Sequence, residues 1–136
     1  MHICFLGLGS NLGNKEENIE KAYQLIEERI GSIVSKSSLY YSKPVDFESE
    51  NDFVNSVCKV ESIINDPFKI LKIIQEIEKQ LGRKAKSING IHTDRIIDID
   101  ILFFDNKEIN TPDLIIPHPK IEERDFVKVP LKEIKS

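Results

Sequence analysis

Two aspartates separated by a single residue, Asp98 and Asp100, are the part of this sequence with the clearest chemical meaning. They interrupt an apolar run, Ile96-Ile97-Asp98-Ile99-Asp100-Ile101-Leu102-Phe103-Phe104, whose composition reads as a β-strand. Strand side chains alternate, so both carboxylates point to one face, about 7 Å apart at Cα, while Ile97, Ile99, Ile101 and Phe103 point to the other. Two like charges held in mid-strand repel. A hard divalent cation removes the repulsion: Mg²⁺ binds through one or two carboxylates and completes its octahedron with water and phosphate oxygens. The chemistry implied is metal-assisted handling of a polyphosphate. The plain alternative is a pair of solvated acids on an exposed sheet face.

Other residue types point toward the same chemistry. Of the 19 basic residues only four are Arg, and three of these, Arg83, Arg95 and Arg124, lie in the second half of the chain with the acids. A planar guanidinium grips phosphate oxygens with two parallel donors, which an ammonium cannot do. Phe53 and Asn55 share one face of a second strand-like run, and an aromatic plane beside an amide that both donates and accepts suits a flat heteroaromatic ligand. Phe in a core and Asn at an edge is the structural alternative. His118 has its backbone restrained by Pro117 and Pro119, and reads either as a loop donor to phosphate or as an ordinary surface His. The glycine-rich stretch Gly7-Leu8-Gly9-Ser10-Asn11-Leu12-Gly13-Asn14 matches neither a Walker A loop nor the dinucleotide spacing, and a tight turn needing glycine explains it equally well. His2 and His92 have no evident partner, and no Ser/His/Asp or Cys/His arrangement for a protein nucleophile stands out.

Positioning these groups takes a frame of four strands and two helices. Residues 2–8 form a short apolar run bounded by glycine, too short for a helix. Asn14 and Glu17 make a capping pair for a helix with Ile19, Ala22, Tyr23, Ile26 and Ile30 on its apolar face, ending near Gly31. Residues 33–42 and 52–63 read as strands separated by a polar loop at 43–52. Asp66-Pro67 opens a second helix, and Ile70, Ile73, Ile74, Ile77 and Leu81 keep helical spacing up to Gly82. A second polar loop at 84–94 precedes the acid-bearing strand at 95–104. Asp105-Asn106 then turns into a short hairpin through Ile109, followed by a tail with a short helix near Glu122. The order βαββαβ predicts an α+β, ferredoxin-like fold: an antiparallel sheet with both helices on one face and a short C-terminal extension. The two polar loops are the expected lids.

A chain of 136 residues is expected to form a single domain, residues 1–136. With 40% hydrophobic and 31% charged residues it is not disordered, and no apolar run approaches the roughly 20 residues of a membrane span. The apolar start reaches Gly7 with no Lys or Arg, unlike a signal peptide, and Cys4 and Cys58 lack metal-ligand spacing. The expected compartment is the cytoplasm, with both thiols reduced and buried. The net charge of −4 argues against a broad nucleic-acid footprint, so any anion site is local. Monomer is the default state.

Gly9-Ser10-Asn11-Leu12-Gly13, Asp52-Phe53-Val54-Asn55, Gly82-Arg83, Arg95-Ile96-Ile97-Asp98-Ile99-Asp100-Ile101-Leu102, Pro117-His118-Pro119 and Arg124-Asp125-Phe126 occur in that order. The pattern resembles the 6-hydroxymethyl-7,8-dihydropterin pyrophosphokinase family of folate biosynthesis, over nearly the whole chain. The resemblance implies transfer of pyrophosphate from ATP to the pterin hydroxymethyl group with release of AMP, and two Mg²⁺ ions held by Asp98 and Asp100. By the same resemblance Arg83 and Arg95 neutralise phosphate charge and join the two acids as the catalytic set. Gln75, Glu78, Ile101, His118 and Arg124 would join them in binding ATP, and Ser42, Val45, Phe53, Asn55 and Phe126 would surround the pterin.

Departures from the family pattern gather in the second loop. Members commonly carry another Arg two positions after the Gly-Arg pair and a Trp-Gly-Pro-Arg run before the acids. Here Ala85 follows Lys84, residues 89–95 read Asn-Gly-Ile-His-Thr-Asp-Arg, and the chain has no Trp. Closing contacts would then fall to Lys84, Lys86 and His92. Phe53 stands where many members have Tyr, which keeps the stacking plane and loses a hydroxyl. The main rival is a non-catalytic small-molecule regulatory module of the same fold, which has no need of an acid pair beside three Arg. An RNA-binding sheet is opposed by the acidic charge, and a nucleotidyltransferase would release pyrophosphate instead of AMP.

Overall fold

The computed structural model describes residues 1–42, 52–82, 87–88, 91–92 and 96–135. The chain runs β1 (His2–Ser10), α1 (Lys15–Arg29), β2 (Ser32–Lys36), β3 (Tyr40–Ser42), β4 (Phe53–Ser62), α2 (Pro67–Gln80), β5 (Ser87–Ile88), β6 (Ile91–His92), β7 (Asp98–Phe104), β8 (Ile109–Asn110), β9 (Ile115–Ile116) and α3 (Asp125–Ile134). The main sheet is antiparallel in the order β2-β4-β1-β7, and β3 also pairs with β4. This is the expected ferredoxin-like α+β arrangement.

Local chemistry sets the helix ends. Asn14 accepts a hydrogen bond from Glu17 N at 3.1 Å, with Glu16 and Glu17 in the positive first turn of α1. Asp66 accepts from Phe68 N at 2.9 Å, and Pro67 occupies the first turn of α2. The two helices bury Ile19, Ala22, Tyr23, Ile26, Ile70, Ile74 and Ile77 against Cys4, Leu6, Leu8, Val54, Cys58, Val60, Ile99 and Ile101 of the sheet, with Ile97 just ahead of β7. Both cysteines are free and buried, and burial pushes the Cys58 thiol up to about 12, which leaves it protonated and inert.

Several boundaries differ from the sequence expectation, each for a local reason. The strand expected at 33–42 is split, because at Ser37 a side chain enters the ladder: Val57 N donates to Ser37 Oγ at 2.9 Å and Ser37 Oγ donates to Ser38 O. The first strand continues two residues past Leu8, so Gly7 and Gly9 lie inside β1 and only Gly13, with φ +69°, serves the turn. β7 begins at Asp98 rather than at residue 95. The pairing of β1 with β7 steps from Leu6↔Ile101 to Phe5↔Phe103 and skips Leu102. This bulge turns Phe103 to the face opposite Ile99 and Ile101, against the expected alternation. Ile109 pairs forward with Ile116 rather than back onto β7. Residues near Glu122 form a turn, and the helix follows it as the ten-residue α3.

Among the described residues, the second sheet face is covered at one end only. Leu131 and Ile134 of α3, with Ile121, pack there on Phe5, Val57 and Leu102. The other end of that face carries Asp98, Asp100, Phe53 and Asn55. No helix among the described residues is long and apolar enough to cross a membrane.

His2 does have a partner. Its Nδ1 lies 2.7 Å from Asp105 Oδ2, and Ile3 N donates to Asp105 Oδ1 at 2.8 Å. The His2 ring first, then the Ile3 amide, hold the Asp105 carboxyl below its ordinary range. A depressed carboxyl contributes stability above its unfolded pKa and loses it as pH falls through the folded value. The pair is well solvated, so Asp105→Asn is expected to cost about 0.5 kcal/mol or less at neutral pH. Urea midpoints of wild type and variant should converge as pH falls through the lowered folded pKa, where the carboxyl protonates in both states. A gap that persists in acid would refute this assignment.

Candidate active site

Register brings the sequence-predicted residues together. Asp98 pairs with Gly9, Gly9 with Asn55, and Asn55 with Tyr40, so one row crosses the sheet through all four. The neighbouring row holds Asp100, Gly7 and Val57. Strands about 4.8 Å apart put Asp98 and Asn55 about 10 Å apart at Cα, with only a glycine between them. Between the acids and the amide, the floor is β1, which contributes no side chain of its own.

On one side of this floor, Phe53 is half-buried and pairs with Ser42. Asn55 is 5% exposed, and its Nδ2 donates to Ser42 Oγ at 3.3 Å. Phe53 and Asn55 share a face as alternation predicts, and Ser42, which the resemblance alone had named, joins them in one contiguous patch. Tyr40 shares the face and was not singled out from sequence, although the same alternation places it there. On the other side, Asp98 and Asp100 are half-buried on β7.

β7 is the edge of the main sheet, and among the described residues contacts from α2 and from the Pro117-His118-Pro119 segment meet its outer side. Glu78, only 4% exposed on α2, accepts from Ile99 N at 2.8 Å, at the residue between the two acids. His118 N donates to Leu102 O at 3.0 Å, which hangs the Pro117-His118-Pro119 segment on the bulge. Lys120 N donates to His118 Nδ1 at 3.2 Å, so in the neutral ring the proton sits on Nε2. Gln75 is exposed one turn before Glu78. Ile101 is 3% exposed and belongs to the main core, so its side chain faces α1 and α2; a nucleotide there would meet its main chain instead.

The third group comes from the C-terminal helix. Arg124 is the N-cap residue of α3, and its guanidinium lies 5.5 Å from the centroid of the Phe126 ring. Both are half-buried. Val45, Arg83 and Arg95 lie outside the described residues, as do Lys84, Lys86 and the side chain of His92. The backbone of His92 pairs with Ser87 in the short β5–β6 ladder, within the segment expected to be loop.

Among the described residues no group of three or more His, Cys, Asp or Glu converges. The donor set is a carboxylate pair beside that floor. That fits Mg²⁺, which takes hard oxygens and leaves its remaining positions to water and phosphate.

The resemblance names Glu78 only as a nucleotide contact; its role as an anchor of β7 is not legible in the sequence, because the contact joins residues 21 positions apart. Glu78→Ala leaves the Ile99 amide without its partner at a buried edge, which is expected to cost about 1–3 kcal/mol of stability. Chemical denaturation measures this directly. A stability within about 0.5 kcal/mol of wild type would show that the contact carries little.

Residues 5–136 match the family model of 7,8-dihydro-6-hydroxymethylpterin-pyrophosphokinase. The chain belongs to this family. It is 40% identical over 135 residues to the 2-amino-4-hydroxy-6-hydroxymethyldihydropteridine pyrophosphokinase of Porphyromonas gingivalis, covering 98% of this chain and 91% of that one. Its identity to the Bacillus subtilis protein of the same name is 38% over 134 residues, covering 98% and 78%. Among solved structures, wild-type Plasmodium falciparum HPPK-DHPS with SDX-DHP superposes with a TM-score of 0.76 at 20% identity, covering 98% of this chain and 40% of that chain. An HPPK-DHPS in complex with substrates gives 0.77 at 18%, with the same coverage. At these identities the likeness is one of fold, and this pyrophosphokinase-family chain spans about two fifths of those longer chains.

Proposed function

We propose that residues 1–136 form one domain that transfers the pyrophosphoryl group of ATP to the hydroxymethyl group of 6-hydroxymethyl-7,8-dihydropterin, releasing AMP, as a step of folate biosynthesis. One observation carries the reading: in a chain of the pyrophosphokinase family, a single sheet row holds an acid, a bare glycine and an amide, with the second acid and an aromatic ring in the adjoining rows.

In this reading the pterin lies against Phe53, with Asn55 reading its hydrogen-bonding edge and Ser42, Val45 and Phe126 completing the pocket. ATP lies toward β7 and the end of α2, where Gln75, Glu78, the main chain of Ile101, His118 through Nε2, and Arg124 would contact it. Arg83 and Arg95 would neutralise phosphate charge. Asp98 and Asp100 would hold two Mg²⁺ ions, which when bound supply positive charge against the triphosphate.

The alcohol oxygen of the pterin attacks the β-phosphorus, the bond from that phosphorus to the α,β-bridging oxygen breaks, and AMP leaves with the bridging electrons. The alcohol proton passes to solvent. No protein nucleophile is required, and the work of the chain is to align the two substrates and stabilise charge. Cytoplasmic location and a monomeric state complete the proposal.

Incubation with ATP, Mg²⁺ and the hydroxymethyl dihydropterin tests it. AMP is expected only when the pterin is present. ADP or free pyrophosphate as product would overturn the reading, and tight pterin binding with no turnover would favour a regulatory module of the same fold.

A further inference from the structure

On the second sheet face, β1 presents Ile3, Phe5, Gly7 and Gly9 in turn, and the two glycines pair with Asp100 and Asp98 of β7. They are not equivalent. A Cβ built on Gly7 would meet the Leu102 methyls at 3.5 Å, an ordinary van der Waals contact. A Cβ built on Gly9 would lie 2.7 Å from Asn55 Oδ1 and 3.8 Å from Phe53 Cδ1. The amide oxygen of Asn55 thus occupies the space that any other residue at position 9 would fill.

That placement orients the amide. Asn55 Nδ2 is turned toward β3, where it donates to Ser42 Oγ at 3.3 Å. Oδ1 is turned toward β1 and the row of Asp98. The side chain lies across the central strand with its acceptor over the floor, where it can take an N–H from the edge of a flat heterocycle.

We propose that Gly9 is a positioning residue that determines pterin specificity by leaving room for the Asn55 carboxamide to lie across β1. The proposal rests on the reading of Asn55 as a pterin contact. The sheet itself does not need glycine here: Gly9 is not among the residues with positive φ, and the atom in the way is the far end of a side chain, which moves more readily than backbone. A Cβ at this position should therefore displace Asn55 and spare the fold.

The test is a double-mutant cycle of Gly9→Ala and Asn55→Ala. Affinity is measured separately for the hydroxymethyl dihydropterin, in the presence of a non-hydrolysable ATP analogue and Mg²⁺, and for that analogue alone, alongside thermal melting. Gly9→Ala is expected to weaken pterin binding by about tenfold or more, with nucleotide affinity and melting near wild type. In the Asn55→Ala background Gly9→Ala should add almost nothing, because it acts through the amide that is already gone. Additive losses, equal losses for nucleotide and pterin, an unfolded Gly9→Ala protein, or unchanged pterin affinity in Gly9→Ala would each overturn the proposal. If Asn55→Ala itself binds pterin normally, the assignment of the pterin pocket fails first and the role of Gly9 falls with it.

Discussion

Asp98→Ala and Asp100→Ala should each lower kcat by about three orders of magnitude or more while leaving the melting temperature and pterin affinity close to wild type. The size of the effect follows from charge. A pyrophosphoryl group in transfer spreads negative charge over its oxygens, and these two carboxylates are the proposed means of holding positive charge beside it. The survival of the fold follows from position. Both side chains are half-buried on the second sheet face, while the strand that carries them is held by its ladder to β1 and by Glu78 on Ile99 N. Asp100→Asn separates charge from shape: it keeps the volume, so a loss as large as that of Asp100→Ala assigns the effect to charge. AMP release gives kcat, and circular dichroism gives the fold. Full turnover in either Ala variant would remove the acids from the mechanism, and loss of the folded signal would make them structural.

The largest stability effect is expected far from the site, at Gly31. A Cβ there would stand 2.2 Å from Glu61 O and 2.9 Å from both Glu61 C and Ser62 Cα, all backbone atoms of β4. No rotamer change relieves a clash with backbone. The end of α1 is also fastened at this point, since Ser62 Oγ donates to Ile30 O at 2.6 Å and Gly31 N donates to Ile26 O at 3.2 Å. Gly31→Ala must therefore push α1 away from the strand it packs beside, at a cost of about 3 kcal/mol or more. For a chain of this size that corresponds to a fall in melting temperature of roughly 10 °C. A fall of less than about 2 °C would mean that the helix end shifts at little cost. The contrast with Gly9 is physical: one glycine abuts backbone and protects the fold, the other abuts a side-chain tip and protects a function.

Residues 97–101 show how much of the site could be read without a structure. Alternation of Ile with Asp has one strand solution, and the buried Ile97, Ile99 and Ile101 with half-buried Asp98 and Asp100 follow it. Two residues after Ile101 the same rule fails for Phe103, because a bulge at Leu102 shifts the face. A bulge depends on what the partner strand can accommodate, and nothing local announces it. The helices were equally legible, since Asn14 and Asp66 cap them through contacts only two or three residues long.

The sequence by itself determined the two main helices, the central strands, the side chains that most of them turn outward, and the kind of chemistry those side chains can do. These properties depend on local geometry, with periods of two and 3.6 residues. Only the tertiary structure decided that Asn55 lies over Gly9, that Glu78 grips the acid-bearing strand, and that His2 meets Asp105. Each of those contacts joins residues tens of positions apart, so it depends on strand register and helix docking, which are settled by packing of the whole core and not by any one segment.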